Sequence, residues 1–172
     1  RYRIYPTHAQ RRRLENTLER CRLLYNAGLE QRKTAYRRQR LSVSKHAQQA
    51  ELPGLKADAP EFEGVYSQVL QDVLARLDKA FQAFFRRVKA GERPGYPRFR
   101  GKGRYDSFTY PQLGFGLKDG RLHLSKIGAL KIRLHREIVG TIKTVTLRRT
   151  STGKWFACFS VECEPAATEP LP

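Results

Sequence analysis

The hydrophobic pattern of this chain changes once, near Gly91, from a helical period to alternation. Before that point apolar residues recur every three or four positions over 61–90, which predicts a long helix with one buried face. After it, short alternating segments separated by turn residues run as far as residue 163, which is typical of antiparallel strands. A chain of 172 residues can bury a sizeable core, so we predict an α+β fold with helices first and most strands second.

The first long helix should begin after Thr7. Thr7 and Gln10 have the spacing of a capping box, in which each side chain bonds the backbone N–H of the other residue. Several residues downstream recur at helical spacing, and we expect the apolar members of this set to be buried. The set comprises Leu14, Leu18, Cys21, Tyr25, Leu29, Arg32 and Tyr36.

Between the two long helices, Ser42 or Ser44 can cap a short helix, and a loop should cover 54–62. The second long helix should run over 61–90 and end at Gly91. We expect the two long helices to pack antiparallel. The buried face of the second should consist of Leu70, Leu74, Leu77, Phe81, Phe84, Phe85 and Val88.

The segments after Gly91 predict a sheet of short antiparallel strands, at 107–110, 114–117, 121–124, 129–134, 141–149 and 154–163. Asp119-Gly120 is a favoured two-residue hairpin turn. The segment 1–5 also alternates, but a lone strand of this length is not stable in water. We therefore predict a small antiparallel β-barrel that 1–5 completes, with the helices inserted between its strands.

The net charge of +18 is the strongest functional signal in the composition. So many cations repel one another in a compact fold, and nucleic acid fits as a partner better than an anionic membrane or a merely basic surface. The cations are uneven, because residues 1–40 carry 12 Lys or Arg against 3 acids and residues 41–64 carry 2 against 4. The sequence has no apolar run that could span a membrane and no signal-peptide pattern. Its three cysteines include no pair at metal-site spacing, and this odd count without a framework favours a reducing compartment.

The segment 84–105 combines cations, aromatic residues, glycines and prolines. In its second half four cations alternate with an aromatic residue and glycines: Arg98, Phe99, Arg100, Gly101, Lys102, Gly103 and Arg104. In an extended loop alternate residues point the same way, which gives a row of cations able to follow a phosphate backbone. Tyr96 and Phe99 can stack on bases or can instead be core plugs beneath the loop.

No catalytic site is recognisable in the sequence. It contains no nucleophile elbow, phosphate loop, dinucleotide fingerprint or zinc-protease motif, and its four histidines lie in unrelated places. Asp72 and Asp78 do not share a helix face, so they do not form a paired-carboxylate metal site. We predict neither catalytic residues nor metal ligands. Ser67, Gln68 and Gln71 form a polar patch on an apolar helix; Gln can read adenine in a major groove, and an ordinary polar face is the alternative.

Eight segments, in order along the chain, carry a family resemblance: 5–7, 21–26, 32–36, 77–87, 95–99, 107–109, 124–128 and 153–156. The clearest are Cys21-Arg22-Leu23-Leu24-Tyr25-Asn26 and Gly95-Tyr96-Pro97-Arg98-Phe99. Together they resemble the N-terminal part of the OrfB/TnpB family, the RNA-guided nucleases of bacterial insertion sequences and relatives of the type V CRISPR effectors. The resemblance covers nearly the whole chain.

This resemblance implies an oligonucleotide-binding-like wedge barrel interrupted by a helical recognition unit. The expected division is a first wedge strand at 1–6, the recognition unit at 7–92, the rest of the wedge at 93–164 and a linker toward a nuclease domain at 165–172. The implied partners are a guide RNA and target double-stranded DNA, in the bacterial cytoplasm near the nucleoid. The family's RuvC-like part, with its divalent metal and zinc, is absent from the sequence, so we expect no cofactor in this chain.

Two further functions stay open: a stand-alone module that binds structured RNA, and a recognition subunit for a separate nuclease chain or a second protein copy. We expect the chain to be a shortened form, the ordered part of a longer protein or a natural fragment. Predicted contacts to RNA or to the hybrid duplex are Arg1, Arg3, Arg86, Arg87, Lys89, Tyr96, Arg98, Arg100, Lys102, Arg104, Arg148 and Arg149. Contacts to a target-adjacent DNA motif, implied by the resemblance, are Ser44, Lys45, Ser67, Gln68, Gln71, Thr109 and Tyr110.

Overall fold

The computed structural model of the protein describes residues 1–163. Its helices are α1 (His8–Gln39), α2 (Lys45–Ala50), α3 (Leu52–Asp58) and α4 (Ser67–Lys89), with a 3₁₀ turn at Pro60–Phe62. Its strands are β1 (Tyr2–Tyr5), β2 (Ser107–Tyr110), β3 (Phe115–Lys118), β4 (Arg121–Leu124), β5 (Gly128–Arg133), β6 (Thr141–Arg149) and β7 (Trp155–Glu162). The helices therefore lie between the first strand and the other six. The linker predicted at 165–172 lies outside the described residues.

These seven strands join one antiparallel sheet in the order β2-β6-β7-β1-β5-β4-β3. The short strand β1 lies between two neighbours, because Ile4 is paired with Trp155 of β7 on one side and with Ile132 of β5 on the other. This arrangement confirms the prediction that the first strand completes the sheet. The sheet curls into a nearly closed barrel. Its most buried side chains include Ile4, Leu122, Leu130, Val145 and Trp155.

The hairpin between β3 and β4 turns at Asp119 and Gly120, as predicted. Both residues have positive φ, 51° and 67°. Two successive left-handed residues match the twist of the flanking strands, and glycine adopts this conformation without a Cβ clash. The local sequence therefore decides this turn.

The start of α1 also follows the sequence. The Thr7 hydroxyl accepts a hydrogen bond from the Gln10 N–H, and the Gln10 side chain accepts one from the Thr7 N–H. Of the two serines proposed for the next helix, Ser44 is the cap of α2, and its hydroxyl accepts the Ala47 N–H. Each cap bonds an N–H that has no partner within the helix.

Two helix boundaries differ from the prediction. Residues 52–58 form α3 rather than a loop, because Pro53 lies in the first turn, where a missing N–H removes no helical hydrogen bond. The helix predicted from residue 61 begins only at Ser67, since Pro60–Phe62 forms a separate 3₁₀ turn. Both errors fall between residues 52 and 67, within or next to the segment 41–64, in which acidic residues outnumber basic ones.

The predicted antiparallel packing of the long helices is wrong. Gly28 of α1 faces Leu77 of α4, and Arg32, one turn further along α1, contacts Asp78. The contacts advance in the same direction along both helices, so α1 and α4 run parallel. The chain between them returns along α1 through α2, α3 and the 3₁₀ turn, which brings it back to begin α4.

The predicted buried face of α4 is correct only as far as Phe81. Leu70, Leu74, Leu77 and Phe81 are buried, whereas Phe85 is 60% exposed and Val88 is 49% exposed. Tyr36, near the end of α1, is exposed as well. Helical spacing is therefore maintained beyond the point at which the core ends. Among residues 1–163, no helix has the length and apolar character needed to cross a membrane.

Candidate nucleic-acid interface

The connection between α4 and β2 forms the centre of the candidate interface. α4 ends at Lys89 with Ala90 as its C-cap, and Gly91, the predicted stop, follows it with a φ of 69° and donates its N–H to the Val88 carbonyl. Residues 90–106 then contain no helix and no strand. Connections of this length without regular structure are uncommon in domains and often carry function. We call residues 93–104 the basic loop.

Two aromatic rings of the basic loop pack against the long helices. The Tyr96 ring makes edge contacts with Phe81 and Phe84, at centroid separations of 5.6 and 5.2 Å. The Phe99 ring lies beside the Lys33 ammonium, 4.7 Å from the ring centroid. Tyr96 is 42% exposed and Phe99 is 47% exposed, so neither ring is a core plug. Both keep enough exposed area to stack on a base.

The backbone of Arg100 is held by side chains of α1. Asn26 accepts a hydrogen bond from the Arg100 N–H at 2.8 Å and donates one to the Arg100 carbonyl at 2.9 Å. Arg22 donates to the same carbonyl at 3.0 Å and is itself paired with Glu19. The hydrogen bond from Arg22 lowers the pKa of Glu19, so the pair stays ionised to a lower pH than a free glutamate would. The middle of the basic loop is therefore fixed to α1.

The charged side chains of the basic loop and of the preceding helical turn are exposed. The Arg100 guanidinium lies 5.6 Å from the centroid of the Tyr25 ring. Cations in the last turn of α4 also interact favourably with the helix dipole, so a structural role is the alternative explanation for the cations of that turn. Within residues 1–163, these predicted contacts form no ion pair with a carboxylate: Arg86, Arg87, Lys89, Arg98, Arg100, Lys102 and Arg104.

A second basic surface adjoins the loop at Gly103. It is a hollow of about 820 Å³ formed by the start of the chain, α1, the loop and the β6–β7 hairpin. Glu15 and Asp106 partly neutralise it through ion pairs with Arg149 at 3.9 Å and Arg148 at 3.0 Å. The cations that line this arginine hollow are Arg1, Arg11, Arg148 and Arg149. The hollow therefore brings three of the predicted RNA contacts next to the basic loop. It also includes Arg11, which was not predicted as a contact.

Arg3, another predicted RNA contact, lies among aromatic rings on the sheet. Its guanidinium is 5.4 Å from the Tyr5 ring centroid and 5.3 Å from that of Phe156. Its Nε atom is buried and makes no hydrogen bond within the described residues. Arg1 covers the same Phe156 ring at 3.9 Å but remains exposed. Of the two residues, Arg1 is therefore better placed to reach a phosphate.

Not every arginine of the helical unit is available to a ligand. Arg32 is 9% exposed, and its Nε donates to Gln48 at 2.8 Å while its Nη1 pairs with Asp78 at 3.0 Å. We call Arg32, Gln48 and Asp78 the buried polar seam, since they join α1, α2 and α4. Arg76 has a similar structural role between α4 and the sheet, donating to the Ser107 carbonyl at 2.8 Å.

The DNA-motif residues predicted on α4 lie at its first turns. The Ser67 hydroxyl accepts a hydrogen bond from the Lys56 ammonium at 3.0 Å, so it is already engaged. The Gln68 side-chain oxygen accepts the Leu113 N–H at 3.1 Å, which ties α4 to the loop between β2 and β3. Gln71 is exposed, and its side chain makes no hydrogen bond within the described part of the chain. Gln71 and the amide nitrogen of Gln68 are therefore the available donors.

The two motif residues predicted at the start of α2 are only partly available to a ligand. The Ser44 hydroxyl is committed to the Ala47 N–H as the helix cap, and Lys45 is half-buried. The helix is nevertheless tied to the α4 patch, because the Gln49 amide donates to the Gln71 carbonyl at 3.0 Å.

The two motif residues predicted on β2 are engaged within the fold. The Thr109 hydroxyl bonds both Arg76 and the Thr146 hydroxyl. Tyr110 is 1% exposed, and its hydroxyl donates to the Ser125 carbonyl at 2.7 Å. Burial also raises the pKa of the Tyr110 hydroxyl. We therefore withdraw Tyr110 as a direct DNA contact, because a strand position that alternates toward the core cannot present its side chain to a ligand.

Sequence reasoning missed the residues that hold the interface in place. Arg22, Asn26 and Lys33 all lie on α1 and contact the basic loop. The available signal was the segment 21–26, which identified a family without indicating a role. Loop contacts of this kind join residues more than 60 positions apart, so spacing cannot reveal them.

The described residues contain no cluster of side chains suited to bind a metal ion. Between residues 1 and 163, no three His, Cys, Asp or Glu side chains converge closely enough to hold a metal ion. Burial raises the pKa of the Cys21 thiol to about 12, so it stays protonated at neutral pH.

Comparison with known proteins relates this sequence to one family. Residues 1–40 match a model described as the OrfB IS605 helix-turn-helix domain, although here that range contains β1 and the single helix α1. A Streptomyces pristinaespiralis protein, provisionally named an RNA-guided DNA endonuclease, is 33% identical over 174 residues, covering 98% of this chain and 42% of that protein. An Escherichia coli K12 protein, provisionally named RNA-guided DNA endonuclease InsQ, is 36% identical over 99 residues, covering 57% of this chain and 23% of that protein. The chain thus spans less than half of either relative.

Proposed function

We propose that this chain, whose sequence is that of the N-terminal portion of the OrfB/TnpB family, binds a guide RNA and its hybrid with target DNA. The binding surface is the basic loop together with the arginine hollow. Base pairing would select the target sequence, while the protein would bind the nucleic-acid backbone and a short adjacent DNA motif. Strand cleavage is not assigned to this chain, because its sequence contains no recognisable catalytic set.

One observation carries this proposal: the fold neutralises the arginines it uses internally and leaves those of the basic loop without carboxylate partners in the described residues. In a chain of net charge +18, such cations gain most by displacing counterions from phosphates. The half-exposed rings of Tyr96 and Phe99 lie among them and provide stacking surfaces for unpaired bases. Cations and rings together favour an RNA with both paired and unpaired parts.

Recognition of the adjacent DNA motif is assigned to the first turns of α4. Gln71 is exposed, and Gln68 uses its side-chain oxygen for Leu113 while its amide hydrogens remain available. A glutamine amide can bond adenine in the major groove. Thr109 would contribute by holding Arg76 in place rather than by touching DNA.

The proposal is tested by the salt dependence of binding to an RNA–DNA hybrid of about 20 base pairs. The double variant Arg98→Ala/Arg104→Ala should bind at least about tenfold more weakly at moderate salt, and the slope of log K against log salt should fall by about 2. Fluorescence anisotropy with a labelled hybrid measures both quantities. The matched control, Lys118→Ala/Arg121→Ala on the β3–β4 hairpin, removes the same charge from the sheet instead of the loop. Equal losses in both variants would place the interface elsewhere.

Motif recognition requires a separate experiment. Gln71→Ala should abolish the preference among DNA duplexes with randomised flanking sequence while hybrid binding is retained. Sequencing of the duplexes retained by the protein–RNA complex gives this preference directly. If Gln71→Ala leaves DNA selection unchanged, the assignment to α4 is wrong, and a module that binds structured RNA alone becomes the better description.

A further inference from the structure

We infer that Asn26, assisted by Arg22, is a positioning residue that holds the basic loop in its RNA-binding conformation. The role of this contact in RNA binding rests on the proposed function, whereas the anchoring of the loop rests on the side-chain contacts alone. The segment 21–26 thereby acquires a physical role in addition to being a mark of the family.

The Asn26 carboxamide bonds the loop backbone as a residue of a neighbouring strand would. It accepts the Arg100 N–H at 2.8 Å and donates to the Arg100 carbonyl at 2.9 Å, so both backbone groups of one residue are satisfied by one side chain. Antiparallel strands exchange the same pair of bonds. The loop has no strand partner at this point, since residues 90–106 contain no regular structure. Aspartate would lack the donor, and glutamine would add a methylene and a rotatable bond.

Arg22 strengthens the same contact from one turn earlier on α1. Glu19 fixes its guanidinium through two hydrogen bonds of 2.6 and 2.9 Å, which leaves Nη1 to donate to the Arg100 carbonyl at 3.0 Å. Tyr25 is buried, and the Arg100 guanidinium lies over its ring. Positions 22, 25 and 26 share one side of a helix, so three side chains of the segment meet one loop residue.

The consequence is that the loop is ordered before RNA arrives. A free irregular segment would lose backbone and side-chain freedom on binding, and that loss would weaken the complex. Removing Asn26 should therefore reduce RNA affinity although every cation remains. The dependence on salt should stay the same, because the number of phosphate contacts does not change.

Loop order is measured without RNA by limited trypsin digestion of the purified protein. Asn26→Ala should increase the initial rate of cleavage after Arg98, Arg100, Lys102 and Arg104 by about tenfold, with peptides identified by mass spectrometry. Asn16→Ala is the matched control, since Asn16 is an exposed residue of the same helix whose side chain, within the described residues, bonds Arg20 and not the loop. The urea midpoint of Asn26→Ala should match that of the control, which separates local opening from unfolding.

Affinity is then measured with the same RNA–DNA hybrid. Asn26→Ala should bind about tenfold more weakly with an unchanged salt slope, whereas Arg98→Ala/Arg104→Ala should change the slope. Arg22→Gln should shift cleavage and affinity in the same direction by a smaller factor. It also serves as the test variant if Asn26→Ala fails to fold.

Each outcome decides a different part of the inference. Cleavage that is unchanged in Asn26→Ala, or equally fast in Asn16→Ala, overturns the loop anchor. Faster cleavage with wild-type affinity, while the loop-charge variant binds weakly, overturns the positioning role. If the loop-charge variant also binds normally, the proposed RNA surface fails, and the protease result retains Asn26 as the anchor of the loop.

Discussion

The buried polar seam and the basic loop contain the same residue type in opposite settings. Arg32 in the seam is 9% exposed and is bonded to Gln48 and Asp78. Arg98 in the loop is exposed and has no carboxylate partner within the described residues. Both arginines contribute to the net charge of +18, although only Arg98 is available to bind a polyanion. A count of cations therefore signals a class of partner without locating the surface that binds it.

Mutations in the two regions should also have different effects. Removing one partner of a buried pair leaves an uncompensated charge or an unmet hydrogen bond, which costs stability. Removing an exposed charge changes stability by about 0.5 kcal/mol or less. Variants of the seam should thus lower the free energy of unfolding, and the loop variants described above should change RNA affinity at constant stability.

The largest loss of stability is expected for Arg32→Ala. It removes the arginine that bonds both Gln48 Oε1 and Asp78 Oδ1 and leaves Asp78 with only its hydrogen bond from Gln82, so the free energy of unfolding should fall by about 3 kcal/mol. Urea denaturation measures this change. Arg37→Ala, in the exposed last turn of α1, is the control and should stay within about 0.5 kcal/mol of wild type. A similarly small effect at Arg32 would remove the distinction between seam and loop.

A smaller loss is expected for Gly28→Val, which tests the close approach of α1 and α4. A Cβ at Gly28 would lie 3.0 Å from a Leu77 methyl group and 3.2 Å from Gln48 Nε2, so a branched side chain must push the helices apart. Such overpacking costs about 1–3 kcal/mol. Gly54→Val in α3 has the same chemistry with no atom within 4 Å of its Cβ, and its Tm should change little. Equal shifts in Tm would mean that helix propensity, rather than packing, controls both sites.

The smallest effect is expected for Glu19→Gln, beside the loop anchor. The hydrogen bond from Arg22 lowers the pKa of Glu19, so its stabilisation is present above the unfolded value of 4.5 and is lost as the pH falls through the folded pKa. Because the Glu19 side chain is 39% exposed and the ion pair is partly screened by solvent, the difference at neutral pH should be about 0.5 kcal/mol. Urea midpoints of both proteins between neutral pH and pH 3 should converge on the acid side. A difference that grows on acidification would contradict the assigned sign.

Local signals account for what the sequence predicted correctly. The Thr7–Gln10 capping box, the Asp119-Gly120 turn and the alternating strands each depend on residues a few positions apart. The placement of β1 in the sheet followed from a different argument, since a lone strand needs partners. The predicted division of the chain into wedge and recognition units stays a prediction.

Non-local packing accounts for the errors. The direction of α4 relative to α1 depends on how the chain returns through α2 and α3, which no hydrophobic period encodes. Tyr110 was assigned to DNA by family position, but its side chain lies on the core side of β2. The role of Asn26 was missed because its partner, Arg100, lies 74 positions away.

The sequence by itself determined most of the secondary structure and the insertion of helices between strands, and it predicted a class of partner, because periodicity and charge are properties of neighbouring residues or of the chain as a whole. Only the tertiary structure decided which arginines bond to other groups of the protein and which remain exposed on the basic loop. That division depends on which groups lie within hydrogen-bond distance after folding, and burial then makes each internal pair costly to break.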